Sequence, residues 1–516
     1  MISPEGPPLA RATALVDVLE ALPRELRACG HEVSIVLPYY REIREVTQVS
    51  NLRDFEEGEL KTRASDTGIT VDVRVGEEIF VAEYLTGRTA GGVQIFFVRQ
   101  DEFFDRAGLY GERGEAYEDN AKRFIFFSKA ALELARRLTP SPEILHLHDW
   151  ATALTPVWLR EARLPFRSVL TIHHLAEQGS FWGLDFGLTN LPERYFGPRG
   201  VEFFGRMNML KGGVVFADRV TTVSERYRRE MLTEEGGCGL EIVLREHAQK
   251  LGGILNGADY ERWNPEIDAL LPAVFGPERI EGKRICRDAL LAAVGLEPVK
   301  QVSNLPSDGL AVANLHSSGT SKLETCATIV YGMVTRLVPE KGFDRVVPVL
   351  DRLLSGDARL VILGEGDPAY ETALAEAAKK FPGKFAYRQV YDECLAHLIE
   401  AGADITLIPS QIEPSGLSAM YSLKYGALPV ASATGGIQEI IEDYDPSTDR
   451  GYGFLYYEPS ADAFWDAIKR ARESFRDEPL WQRLMQRAMR QDFAWGVAAQ
   501  SYERIYAELS GQTATT

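Results

Sequence analysis

Three loops in the second half of the chain carry residues able to handle an anionic, sugar-like ligand. In MVTRLVPEKGFDRV (333–346) an apolar run ends, Arg336 and Lys341 follow five residues apart, and Gly342 opens an amphipathic segment. Two cations beside a helix N-terminus suit a diphosphate, because free N–H groups and the helix dipole favour negative charge there. If the diphosphate departs during a reaction, fixed cations stabilise the charge growing on its oxygens without a metal. In IPSQIEPSGLSAMYSLKYG (408–426) a strand is followed by Glu413 and then Pro414-Ser415-Gly416-Leu417. Gly416 lets a ligand approach the backbone, and the helix start offers free N–H groups. Glu413 suits a sugar hydroxyl or positive charge at a reacting anomeric carbon. ATGG (433–436) adds Thr434, Gly435 and Gly436 as a third strand-end turn. Singly, each loop also reads as solvated cations or ordinary helix-start residues; three in one region point to a sugar-nucleotide site.

The first half offers HLHDW (146–150) and TIHHLAEQG (171–179). His146 and His148 are read as pointing to opposite faces of a strand, which argues against a shared metal. His173 and His174 start a loop, and one is expected to face a ligand cleft. His31, His247, His316 and His397 sit in no such setting.

These loops need elements to hold them. VSIVLPYY, EILHLH, RSVLTIHH and DRVTTVS read as strands in the first half, and TIVYGMV, ARLVILG, KFAYRQV and DITLIPS in the second. Amphipathic segments such as RFIFFSKAALELARRL (123–138) alternate with them. This alternation predicts two doubly wound α/β domains, with ligands beyond the carboxyl ends of the strands and the two sets of loops facing one another across a cleft. Between them lies a polar stretch without periodicity, 299–326, read as a linker or insertion.

Composition narrows the partners. Of 516 residues, Lys and Arg number 57 against 75 Asp and Glu, a net charge of −18. A nucleic-acid surface would need a basic patch, so no nucleic-acid partner is expected. The five cysteines are scattered without C-x-x-C, which reads as small buried thiols in a reducing compartment. No apolar run is long enough to span a membrane, and no secretory signal is visible. A cytoplasmic protein with no membrane partner is the expectation.

Taken together, the motifs resemble the bacterial glycogen synthase and starch synthase family, retaining glucosyltransferases with two Rossmann-like domains (the GT-B fold). The resemblance runs from LPRELRACGHEVSIVLPYYREI through GLYG, HLHDW, TIHHLAEQG, FADRVTTVSERYRREMLT, GILNGADYERWNP, TRLVPEKG, LGEGDP, EPSGL and TGG to QDFAWGVAAQSYERIYAEL. It implies transfer of glucose from ADP-glucose to the non-reducing end of an α-1,4-glucan, with retention and with neither metal nor cofactor. By matching motif, Arg336 and Lys341 would hold the departing diphosphate, and Glu413 would contact the donor glucose. His173 would hydrogen-bond that glucose. Asn256 and the amides around Gly416 and Leu417 would complete the donor pocket, and Asp149 and Tyr110 would line the acceptor side. The implied domains are 1–255 and 327–490, with a hinge and insertion at 256–326 and a C-terminal helix (491–516) returning to the first domain.

The sequence departs from the family pattern in places. Where the family carries Lys-x-Gly-Gly-Leu-x-Asp-Val, this chain has RATALVDV: Arg11 replaces the lysine, Asp17 is kept, and both glycines are gone. Arginine is larger and planar, so it is no plain substitute at a tight site. That loop motivates a second reading, a weakened homologue that binds glucan or nucleotide as a scaffold or regulator. Ser415 stands where Cys is usual, Ala419 where Gln is frequent, and His174 where Asn is usual. Only MISPEGPPLA precedes Arg11, so at most Met1–Ser3 can serve as the first strand, and the true start is expected upstream.

Overall fold

The computed structural model describes residues 1–7, 15–48, 64–112, 114–298 and 328–511. Arg11 and the rest of 8–14, and the polar stretch 299–327, lie outside the described residues. The chain forms two compact units, one of residues 1–259 with 493–516 and one of residues 260–492.

In the first unit the strands of the main sheet are β1 (Ser34–Pro38), β2 (Ser65–Val75), β3 (Glu78–Arg88), β4 (Gln94–Arg99), β5 (Ile144–His148), β6 (Arg167–Ile172), β7 (Arg219–Thr222) and β8 (Leu251–Gly253). They run β2-β3-β4-β1 on one side and β5-β6-β7-β8 on the other. The N-terminal tripeptide joins the two halves. Ile2 bridges Val36 and Leu147 in parallel, its N–H donates to His146 O at 2.8 Å, and its carbonyl accepts from His148 N at 3.1 Å. Three residues thus act as the central strand. The Met1 amino group donates to Ser34 O at 2.7 Å, and burial pulls its pKa down to about 5. Numbered along the chain, the parallel strands lie in the order 3-2-1-4-5-6-7, so the order reverses between Ile2 and β5. The β2–β3 hairpin, antiparallel, extends one edge.

Helix α1 (Leu15–Ala28) buries Leu19, Leu22 and Leu26. Helix α2 (Asn120–Ala135) buries nearly its whole circumference, Phe124 to Phe127 included, as expected of a helix covering a parallel sheet.

The second unit has six strands, β9 (Ile329–Val334), β10 (Ala358–Leu363), β11 (Phe385–Arg388), β12 (Ile405–Ile408), β13 (Leu428–Ser432) and β14 (Phe454–Tyr456). All are parallel, in the order β11-β10-β9-β12-β13-β14. This is the dinucleotide-binding order 3-2-1-4-5-6, with its reversal between β9 and β12. Helix α3 (Glu281–Val294) falls in the sequence-expected hinge and insertion, yet it packs here: Leu290, Leu291 and Val294 join Val330, Val361 and Ile399 in one core. Helix α4 is Phe343–Leu354 and α5 is Leu417–Lys424. The closing helix α6 (Trp495–Ser510) belongs to the first unit.

Among the described residues no helix is long and apolar enough to cross a membrane. Cys29, Cys238 and Cys394 are free and exposed, and only Cys286 of the described cysteines is buried. The expectation of buried thiols therefore fails at three positions.

Candidate active site

In the second unit the candidate residues gather where the strand order reverses. The loop after β9 carries Lys341, and the loop after β12 carries Ser410 and Glu413. Lys341 Nζ donates to Glu413 Oε2 at 2.5 Å, and Ser410 Oγ donates to the same oxygen at 2.9 Å. The pair is largely buried, and the short distance marks a charge-assisted bond. Arg336, by contrast, is exposed and joins no ion pair among the described residues.

Backbone packing fixes this loop. Gly416 caps α5 with a left-handed φ of 80°. Gly435 has φ 48°, and a Cβ there would lie 2.1 Å from Glu413 O; one on Gly436 would lie 2.2 Å from Ser415 O. Gly436 N donates to Glu413 O at 3.0 Å. The Thr434-Gly435-Gly436 turn is thus a seat for the Glu413–Ser415 backbone. Thr434 Oγ1 donates to Gln411 O at 3.2 Å. Leu417 is buried in the first turn of α5.

In the first unit the loops after Ser3, β5 and β6 converge at the other reversal point. Asp149 follows β5 with φ 55°, a strained value for a residue with a side chain. Its Oδ1 accepts the His173 amide at 2.7 Å, and the His174 amide also bonds it. Burial pushes the Asp149 carboxyl up to about 7. His173 Nε2 meets His148 Nδ1 at 3.0 Å, and burial holds His173 down at about 3, so the ring is neutral. Asn256 is buried and also belongs to this unit.

His146 and His148 do not point to opposite faces. Side chains two apart on a strand share a face, and the two rings stack with centroids 4.3 Å apart. Their partners are a hydroxyl pair and a third histidine: His146 contacts Tyr506 Oη at 2.7 Å and Thr171 Oγ1 at 2.6 Å. Among the described residues no three His, Cys, Asp or Glu side chains are placed to hold a metal.

Two residues escaped the sequence reading. Glu5 is buried and accepts the Tyr110 hydroxyl at 2.8 Å; Ser410 orients Glu413. Both follow strands, and strand-end position was the signal available for each. Asp17 lies in the first turn of α1, directly after the undescribed Arg11 loop.

Residues 1–246 match the starch synthase catalytic domain model, and residues 326–488 match that of glycosyl transferases group 1. A glycogen synthase of Koribacter versatilis is 39% identical over 97% of this chain and 95% of its own length. One from Anaeromyxobacter dehalogenans strain 2CP-C is 39% identical over 99% of both chains. The chain belongs to the glycogen synthase and starch synthase family. Its fold agrees: the catalytic domain of starch synthase IV from Arabidopsis thaliana, solved with ADP and acarbose bound, is similar at TM-score 0.84 and 29% identity, over 99% of each chain. The chain is a glycosyltransferase of the GT-B class. Within this family, loops at both strand-order reversals are the expected places for ligand contacts.

Proposed function

We propose that this chain transfers glucose from ADP-glucose to the non-reducing end of an α-1,4-glucan, with retention of configuration. The observation that carries the reading is the buried Lys341–Glu413 pair at the reversal point of a nucleotide-binding sheet. The nucleotide is taken from the Arabidopsis relative, whose structure contains ADP.

Lys341 and the exposed Arg336 neutralise the diphosphate as the bond to glucose breaks. The free amides at Gly416 and Leu417 add to this, and electrostatic stabilisation of a leaving group is commonly the largest catalytic contribution. Glu413, held by Lys341 and Ser410, contacts the donor sugar and supports positive charge near its anomeric carbon. Neutral His173 and Asn256 hydrogen-bond the glucose, and Asp149 fixes His173 through its backbone. Tyr110 and Asp149 lie on the acceptor side, with Glu5 orienting the tyrosine. The acceptor hydroxyl attacks on the face the diphosphate leaves, and the leaving phosphate takes its proton. Asp17, in the first turn of α1, and Arg11 serve the donor. The protein works in the cytoplasm, a setting that its free thiols suit.

The test is incorporation of labelled glucose into glycogen, comparing ADP-, UDP- and GDP-glucose. ADP-glucose is the expected donor, and Glu413→Ala is expected to abolish incorporation while the protein stays folded. A soluble, folded full chain that incorporates nothing from any donor rejects the reading.

A further inference from the structure

Behind the Lys341–Glu413 pair lies a small pocket that the mechanism above does not use. Lys341, Glu413, Ser410, Ser418, Thr406 and Glu400 contribute to its lining. Glu400 sits on helix Glu393–Gly402 and Thr406 on β12; they are only 4% and 3% exposed. Glu400 Oε2 and Thr406 Oγ1 make no hydrogen bond among the described residues. Buried polar atoms are nearly always paired, so two unpaired ones lining the same pocket call for an explanation. The open space, about 20 Å³, accommodates one water molecule.

We propose that Glu400 is a positioning residue for the transfer: in its uncharged form it shares a buried water with Thr406 behind the Lys341–Glu413 pair, and its ionisation weakens donor binding at Lys341. This rests on the function proposed above. Lys283, whose Nζ donates to Ala401 O at 3.1 Å and Tyr425 O at 2.8 Å, and His397, one turn back and bound to Asp268 at 2.8 Å, are the basic groups that face Glu400. Burial outweighs both and pushes the Glu400 carboxyl up to about 8. At pH 7 it carries a proton. Above about pH 8 it adds a second carboxylate to a pocket that already holds Glu413. That charge holds Lys341 in place and repels the incoming diphosphate.

The experiment is KM for ADP-glucose and kcat against pH, in wild type and Glu400→Gln. The wild-type KM is expected to rise at least about threefold between pH 7 and 9.5, a modest effect for one added charge in a partly buried pocket, with kcat little changed. The Gln variant, which stays neutral, is expected to lose that rise. Burial also pulls Lys283 down to about 8, but Lys283 titrates in both proteins, so only their difference belongs to Glu400. Superimposed profiles overturn the proposal. Should Glu400→Gln fail to fold, Thr406→Val keeps Glu400 and removes one anchor of the water; a shifted midpoint of the KM rise supports the proposal and an unmoved one overturns it. If the chain binds ADP but transfers nothing, the functional reading fails by itself, and ADP affinity against pH then decides the Glu400 question by the same comparison.

Discussion

Lys341 and Glu413 hold one another at 2.5 Å, so each fixes where the other points. Removing the lysine takes away the cation proposed for the diphosphate and leaves the Glu413 side chain, among the described residues, with Ser410 as its hydrogen-bond partner. Lys341→Ala is expected to lower kcat by about 10²–10³-fold, measured by glucose incorporation. Lys341→Arg is expected to restore little, because a planar guanidinium cannot take the place of a point charge bonded to one carboxylate oxygen. Asp149→Asn keeps an acceptor for the His173 amide and is expected to lose far less activity than Asp149→Ala, which frees the loop. Lys341 and Glu413 were legible in the sequence because each follows a recognisable apolar strand and precedes a glycine that opens a helix, Gly342 and Gly416. Glu5 and Ser410 were missed although both follow strands: the strand before Glu5 is only three residues long, its partner Tyr110 lies 105 residues away, and Ser410 is an ordinary strand-end serine whose bond to Glu413 shows only in the folded loop.

At the level of elements, the paired glycines matter through the loop they support. Gly435→Ala and Gly436→Ala each set a methyl against the backbone of 413–415, so the Glu413 loop must move. Both are expected to cut kcat sharply while leaving the melting temperature within a few degrees of wild type, a combination that separates loop displacement from unfolding. Eight of the parallel strands, β1, β5 to β7 and β9 to β12, were readable because strands covered on both faces appear as short apolar runs; β4, β8, β13 and β14 were not read. The β2–β3 hairpin was not. Its residues alternate exposed and buried along much of each strand, so it presents no apolar run. The face shared by His146 and His148 was misjudged, although strand periodicity alone places residues two apart on the same side.

At the scale of the whole molecule, three neutral histidines inside the first unit make acid its weakness. Burial holds His146, His148 and His173 below their ordinary values. Their contribution to stability is full above about pH 6.5 and is lost as pH falls toward about 3 for His173. Each costs at most about 1.4 kcal/mol per pH unit in that window. Thermal denaturation between pH 7 and 4 should therefore show the first unit melting progressively earlier, with a shallower dependence in His173→Gln. Helix α6 guards the same cluster: Tyr506 bonds His146, and the Tyr502 ring lies 5.2 Å from it. Ending the chain after Asp492 is expected to lower the first unit's melting point by several degrees or more, and limited proteolysis should then spare the second unit preferentially. That split membership also sets an order of assembly. The second unit leaves the ribosome as one uninterrupted run, whereas the first must wait, its histidine cluster uncapped, while residues 260–492 are made. The delay is roughly 10–50 s at ordinary synthesis rates. The unit begun first is the last to be finished.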